Sequence, residues 1–227
     1  MGKIKFTAIS SSWSEGGVLR ISIKASVESE ISIAWGDGFV TKRTFHNGSE
    51  IEFEHDYCPN NSQYPSGGLK FQVEISAENP DGRIIGFSRL GSEINASDLD
   101  VSNCPELENL FFFGSTNYDE EPGWRLDLSR NPALKQLNCS NWNFNSLNLS
   151  HNPALEELNC NFNRLSHLSL TNNSLLKKLN CEWNKMEQLF IVYAPHLCEA
   201  EFEEGNNIDE ATKMQIQELI ENNNRSF

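Results

Sequence analysis

The six cysteines come first among residues that could do chemistry, because thiols form disulfides, bind metals or act as nucleophiles. Three of them, Cys139, Cys160 and Cys181, recur every 21 residues in a column that apolar residues occupy elsewhere. No Cys-x-x-Cys pair or adjacent histidine accompanies them, which disfavours zinc. We therefore interpret them as small buried hydrophobic residues with free thiols. The sequence leaves open a disulfide among the other three, Cys58, Cys104 and Cys198.

Histidines and carboxylates offer a second candidate, and their one local cluster is Glu54-His55-Asp56. In a strand these three side chains point to alternate faces, so they cannot converge on one metal or substrate. A structural role for His55 is the favoured interpretation. Asp37, in the segment WGDG, is interpreted as a turn residue that bonds its own backbone rather than as a calcium ligand.

Catalytic motifs are absent from the sequence. It contains no glycine-rich phosphate loop and no G-x-S-x-G or H-E-x-x-H pattern. Paired carboxylates such as Glu156-Glu157 are expected by composition in so acidic a chain. We therefore expect a protein that is not an enzyme, with no catalytic residues, no metal and no cofactor.

The charge balance restricts the partners. The 227 residues include 18 Lys and Arg against 32 Asp and Glu, a net charge of −14, which argues against nucleic acid and anionic membranes. No stretch approaches the roughly 18 apolar residues of a membrane span, and the opening MGKIKFTAIS lacks the apolar run of a signal peptide. We expect a soluble chain without membrane insertion.

The acidic residues are distributed unevenly along the chain, which indicates that it has two parts. Residues 1–92 carry nine basic and eleven acidic residues, whereas residues 93–227 carry nine and twenty-one. The second part is repetitive: segments 126–146, 147–167 and 168–188 align without gaps at a period of 21. Weaker copies at 99–113 and 189–207 extend the pattern to about five coils over residues 97–208. Because one coil cannot bury its own apolar residues, the coils are expected to stack into one core.

Asparagines form two further columns. Asn131, Asn152 and Asn173 mark one turn, and Asn163 and Asn184 mark the opposite one. A buried Asn amide can satisfy backbone groups of its own and neighbouring coils, which predicts a hydrogen-bonded ladder. The second column is interrupted at its ends, so the first and last coils should be less regular there. The interrupting residues are Trp142 and Gly205.

These units, L-D-L-S-x-N-P-x-L-x-x-L-x-C, resemble the short 21-residue class of bacterial leucine-rich repeats. The resemblance implies a right-handed solenoid with a parallel sheet on its concave side and a role in binding another macromolecule. The tail, residues 209–223, is predicted to form a helix that caps the open end of the solenoid. Asp209 or its neighbour would cap its N-terminus and Asn222 to Asn224 would end it.

The first part, residues 1–92, shows strand periodicity. Seven short segments alternate apolar and polar residues between turn-rich breaks, which predicts an antiparallel sandwich of immunoglobulin type. WGDG at 35–38, His55 and Tyr57 as H-x-Y, and the strand LKFQVEISA resemble a PKD-type sandwich. Such modules commonly act as spacers. The predicted fold class is therefore mainly β: an immunoglobulin/PKD-like sandwich followed by a leucine-rich repeat solenoid with a C-terminal capping helix.

The repeat register selects the side chains of the predicted concave face. Asparagines form a central strip, aromatic residues stand beside it and glutamates crowd the last coil. Two alternatives stay open: the aromatic rings pack locally at the rim, and the glutamates merely solvate the end of the solenoid. The candidate ligand-binding residues are Phe111, Phe113, Asn138, Asn159, Asn161, Phe162, Asn180, Glu182, Trp183, Glu201 and Glu203.

The function predicted from these features is protein–protein interaction through the concave face, in adhesion or surface recognition. Exposed aromatic residues on a rigid sheet are suitable binding anchors. One alternative is a carbohydrate-binding adhesin, since aromatic faces beside amides suit sugar rings. A second is an architectural role without a ligand. The family resemblance implies an extracellular or cell-surface location, and a monomer is expected.

Overall fold

The computed structural model describes residues 2–10, 17–26, 28–46, 48–57, 69–78, 83–90, 95–114 and 125–225. The chain forms two compact units, Met1–Leu107 and Glu108–Phe227. Both are built mainly of β-strands, and the second ends in a helix.

The first unit contains the seven strands expected from the alternation of its sequence, together with an eighth. They pair antiparallel in two sheets, of order β4-β3-β6-β1-β8 and β5-β2-β7. Their bounds are β1 Lys3–Ser10, β2 Val18–Ala25, β3 Ser29–Ala34, β4 Val40–Phe45, β5 Glu50–Asp56, β6 Leu69–Ala77, β7 Ile84–Leu90 and β8 Asn95–Asp100.

The two sheets of the first unit share one apolar core. Phe6 of β1 lies against Phe87 of β7, with ring centroids 5.8 Å apart. Phe45 of β4 stacks on Phe53 of β5 at 6.1 Å. All four rings are buried, because alternate residues of each strand point to the same face of its sheet.

The eighth strand shifts the division between the two parts. The sequence places the boundary after residue 92 and assigns 99–113 to the first coil. In the structure β8 pairs antiparallel with β1, and the Thr7 hydroxyl donates to Asp98 at 2.9 Å. The residues through Leu107 therefore belong to the first unit. Of the segment 99–113, only Leu99 and Asp100 lie in β8. Beyond them the backbone N–H groups of Cys104 and Leu107 donate to the carbonyls of Val101 and Cys104, which is the turn that Asn131 and Leu134 repeat in the next coil.

The second unit is a β-solenoid whose coils each contribute a three-residue strand. The five main strands pair in parallel in the order β9-β10-β11-β13-β15. Partner residues lie one 21-residue repeat apart from β10 onward, as in Leu137, Leu158 and Leu179. A second parallel pair, β12 and β14, lies on the other side of the coils. The bounds are β9 Asn109–Phe111, β10 Gln136–Asn138, β11 Glu157–Asn159, β12 His167–Ser169, β13 Lys178–Asn180, β14 Gln188–Phe190 and β15 Glu199–Glu201.

Buried asparagines hold successive coils together. Asn152 Nδ2 donates to the carbonyls of Leu128 and Asn131, at 3.1 and 2.9 Å. On the opposite turn Asn163 Nδ2 donates to the carbonyls of Cys139 and Cys160, at 3.0 and 2.9 Å. These bonds satisfy carbonyls that water cannot reach, which makes each coil depend on its neighbour.

The ladder continues through both positions where the sequence interrupts it. The indole N–H of Trp142 donates to the carbonyl of Phe112, one coil earlier, as Asn163 does to Cys139. In the last coil Gly205 takes a φ of 71°, and Asn206, one residue later, donates to the carbonyls of Cys181 and Phe202. The first and last positions of this Asn column therefore differ in the residue that donates, but the hydrogen bonds between coils are still made.

The C-terminal helix, α1 Glu210–Arg225, covers the last coil. Asp209 caps its N-terminus by accepting the Thr212 backbone N–H at 2.9 Å, and Ile216 is buried. The helix continues through the asparagines expected to end it. One of them, Asn223, donates to the carbonyls of Ala194 and Leu197, at 2.9 and 2.8 Å. It thereby satisfies carbonyls at the end of the solenoid, where no further coil follows within the described residues.

The cysteine column lies inside this core. Cys139, Cys160 and Cys181 are fully buried, and all five described cysteines are free thiols. Cys104 and Cys198 are thus not joined in a disulfide, whereas Cys58 lies outside the described residues.

Burial predicts how these thiols react. It raises the pKa of Cys139 to about 12 and that of Cys160 well above its ordinary value. Because alkylation requires an accessible thiolate, iodoacetamide at pH 8 should label the half-buried Cys198 and leave Cys139, Cys160 and Cys181 unmodified. Mass mapping of peptides checks this, with guanidinium-unfolded protein as the control in which all of these react. Labelling of Cys160 at the rate of Cys198 would contradict the buried column.

Candidate binding surfaces of the solenoid

The main strands present an exposed row of side chains that we call the sheet face. In each three-residue strand the central residue points inward, as Leu137, Leu158 and Leu179 do, while the flanking residues face outward. The outward-facing side chains border a shallow groove of about 230 Å³. Its outward lining comprises Phe111, Gln136, Asn138, Glu157, Asn159, Lys178, Asn180, Glu199 and Glu201.

The asparagine strip lies along this groove, at the last residues of β10, β11 and β13. Asn138 Oδ1 accepts the Ser140 backbone N–H at 3.2 Å, and Asn159 Oδ1 accepts that of Asn161 at 3.1 Å. Each oxygen therefore stabilises the chain as it leaves the strand. Among the described residues, the Nδ2 groups of Asn138 and Asn159 have no acceptor. The strip therefore offers two amide donors, one repeat apart.

Carboxylates dominate the far end of the groove. Asn180 Nδ2 donates to the carboxylate of Glu201, and Lys178 pairs with Glu199 at 3.3 Å. Partial burial and the charges of Glu204 and Glu201 raise the pKa of Glu182. Burial is the larger cause of this shift and the neighbouring negative charges add to it, so a cation beside these carboxylates would be favoured.

The remaining predicted residues do not all lie on the sheet face. Asn161 and Glu182 follow the strands, and their backbone N–H groups bond to the strip asparagines. Phe113 is half-buried beyond the end of β9. Glu203 accepts a hydrogen bond from Gln217 of α1 at 2.6 Å. Its carboxylate is therefore engaged with the capping helix.

Phe162 and Trp183 form a separate surface in the turn after the strands. Their rings are parallel within 3°, with centroids 5.8 Å apart, and each residue keeps 48% of its surface exposed. The two rings pack on each other, as the alternative of local packing expects, and both remain accessible to a ligand. Both backbones are left-handed, with φ of 52° and 51°. A Cβ at Gly205 would approach the Trp183 Cα to 2.6 Å, so glycine is required beside this ring.

This turn contains a cleft of about 370 Å³. The sequence analysis did not predict that its lining residues form one site. Arg164 and Lys185 line it together with the two rings. We call Phe162, Arg164, Trp183 and Lys185 the turn-edge cluster. The signal was present in the sequence: Arg164 and Lys185 are one repeat apart, each two residues after an aromatic residue.

The histidine and carboxylate singled out in the first unit make structural contacts. His55 Nε2 lies 2.6 Å from Asp37 Oδ2, and its ring stacks on Trp35 at 4.7 Å. Asp37 also accepts the Phe39 backbone N–H at 3.1 Å, as expected for a turn residue. The Tyr57 hydroxyl donates to the Trp35 carbonyl at 2.8 Å, and burial raises its pKa. Within the described ranges no group of three metal-ligating side chains occurs.

Comparisons with known proteins find little. No protein-family model matches the chain, and no curated protein matches it either. Among solved structures the chain is similar to the functional domain of InlJ from Listeria monocytogenes, described as including a cysteine ladder. The two share 18% identity at a TM-score of 0.26, over 50% of this chain and 38% of the other. In the part of the chain that the structure describes, no helix is long and apolar enough to cross a membrane.

Proposed function

We propose that the chain is a non-enzymatic binding protein whose sheet face holds a segment of another protein. The row of Asn138 and Asn159 carries this proposal. Their oxygens are fixed by backbone N–H groups, which orients their amide donors towards the groove. Carbonyl oxygens of an extended segment are the acceptors that such preorganised donors suit, because little conformational entropy is lost on binding.

The charges of the face specify the segment further. Glu199 and Glu201 lie on β15, Glu182 follows the end of β13, and Lys178 is the base beside Glu199. A basic stretch of the partner would relieve the repulsion among these carboxylates, and opposite charge also speeds association. We therefore propose a partner whose basic residues lie over β13 and β15.

Family and location are part of the same proposal. The parallel strands at a 21-residue register and the Asn ladder support leucine-rich repeats. The contacts among Trp35, Asp37, His55 and Tyr57 support a PKD-type first unit that acts as a spacer. Leucine-rich repeat proteins of this type imply an extracellular or cell-surface site of action, in adhesion or recognition, by a monomer without a cofactor.

Selection from a displayed library of random peptides tests the sheet face. We expect the intact chain to enrich basic peptides, and the double variant Asn138→Asp/Asn159→Asp to bind them at least tenfold more weakly. Aspartate keeps the oxygen that accepts the backbone N–H, so the turn should persist, but it loses the Nδ2 donor and adds a negative charge. Because the added charge alone would strengthen the binding of a basic peptide, weaker binding reports the loss of the donor. Titration calorimetry with the enriched peptides measures the difference.

The matched control lies in the other surface. Phe162→Asn/Trp183→Asn alters the turn-edge cluster and should leave peptide affinity unchanged. Failure to enrich any peptide, or equal affinity in the Asp double variant with an unchanged melting temperature, would overturn this assignment of the sheet face.

A further inference from the structure

The turn-edge cluster repeats one arrangement twice. Phe162 and Arg164 in one coil correspond to Trp183 and Lys185 in the next, one 21-residue repeat later. The aromatic rings are parallel, 5.8 Å apart and about half exposed. The cleft therefore presents a flat apolar surface next to a cation, and then presents the same pair again.

The charge of the cleft is opposite to that of the chain. Neither Arg164 nor Lys185 forms an ion pair with a described residue, although the chain has 32 acidic residues. The lining otherwise consists of the two rings, asparagines and Gly205, without a described carboxylate. Two unpaired cations beside amides favour a ligand that carries carboxylates.

The left-handed backbone at Phe162 and Trp183 makes aromatic residues an unusual choice at these positions for folding alone. Left-handed φ values disfavour bulky side chains, and Asn tolerates them best among residues with a Cβ. Asn141 occupies the same register position one coil earlier, with φ 61°. Phe162 and Trp183 therefore stand where the chain itself shows a less strained choice, and such strain is typical of functional positions.

We propose that the turn-edge cluster binds an acidic oligosaccharide built of uronate units, at a site distinct from the sheet face. Each uronate offers a flat apolar ring face for an aromatic side chain and a carboxylate for the neighbouring cation. Successive units repeat this pair, as the coils do. The repeated pair of ring and cation favours such a sugar over a peptide, because a peptide does not present a flat apolar ring face and a carboxylate on every unit.

Titration calorimetry with hexamers of galacturonate, mannuronate and guluronate tests this site, with maltohexaose as the neutral probe. We expect saturable binding of at least one acidic hexamer and at least tenfold weaker binding of maltohexaose. Two double variants, Phe162→Asn/Trp183→Asn and Arg164→Asn/Lys185→Asn, should each weaken the acidic hexamer at least tenfold. Each variant copies the repeat 126–146, where Asn141 and Asn143 hold these positions, so folding should be retained.

The asparagine strip of the sheet face supplies the control that separates the two sites. Asn138→Asp/Asn159→Asp should leave hexamer binding unchanged, whatever the outcome of peptide selection. No saturable binding of any acidic hexamer would overturn the proposal. So would maltohexaose binding of equal strength, retention of binding in both cluster variants, or a glutamate-rich peptide that binds more tightly than the hexamers through the same four residues.

Discussion

Replacing Cys160 by Asp should unfold the solenoid, with a loss of about 4 kcal/mol or more in the free energy of unfolding. Cys160 is fully buried, and the neighbouring coils place Cys139 and Cys181 above and below it in the column. No described cation faces this column, so the new carboxylate would be a buried and unpaired charge. Urea denaturation followed by circular dichroism measures the loss.

Two control substitutions separate the effect of the added charge from the effect of changing residue 160. Cys160→Ala keeps the site apolar and should cost far less, whereas Asn161→Asp adds the same charge at the next residue, outside the core, and should cost little. Burial should also raise the pKa of the new carboxyl, so the folded state of Cys160→Asp would gain relative stability as the pH falls from 7 to 5. An unchanged melting curve at pH 7 would mean that the repeat register is wrong.

Asn163→Asp should destabilise the solenoid by about 3 kcal/mol or more, although the two side chains have nearly the same shape. Asn163 Oδ1 accepts the backbone N–H groups of Trp142 and Phe144, at 3.1 and 3.0 Å. Its Nδ2 donates to two buried carbonyls, of Cys139 and Cys160. Aspartate retains the acceptor but turns a second oxygen towards those carbonyls, which removes the hydrogen bonds that Nδ2 donates and adds repulsion between oxygens.

The comparison with Asn161→Asp is the measurement, because the chemical change is identical two residues away. Thermal unfolding of both variants at pH 7 should show a large fall in melting temperature for Asn163→Asp and a small one for Asn161→Asp. Equal shifts would show that the Asn ladder contributes no more than a surface amide.

Much of the fold follows from local pattern. The alternation in residues 3–9 or 84–90 predicts a strand because period 2 buries one face, and both segments are strands. Asp209 as the N-cap and the apolar stripe of Ile216, Leu219 and Ile220 predict a helix, which begins at Glu210. The sequence places the boundary after residue 92, whereas the first compact unit extends to Leu107, and β8 pairs with an edge of β1 that no local pattern reveals.

The candidate site was predicted less completely, for a geometric reason. The register placed Asn138, Asn159 and Asn180 in one row, as the structure does. It also placed Phe162 and Trp183 on the same face, but their left-handed backbones direct both rings into the turn. The sequence period identifies which side chains are neighbours along the solenoid, and only the local φ decides where they point.

The sequence by itself determined the 21-residue coil, its Leu and Cys columns and the capping helix, because residues that recur at one period require the same environment in each coil. The tertiary structure alone decided the rest. It brought Asp37 to His55, used Asn206 in place of Gly205, ended the first unit at Leu107 and joined Arg164 and Lys185 to the aromatic pair. The period relates Arg164 to Lys185 and Phe162 to Trp183, but it does not place these four side chains around one cleft. The other contacts join residues outside any period, so all of them depend on the path of the folded chain.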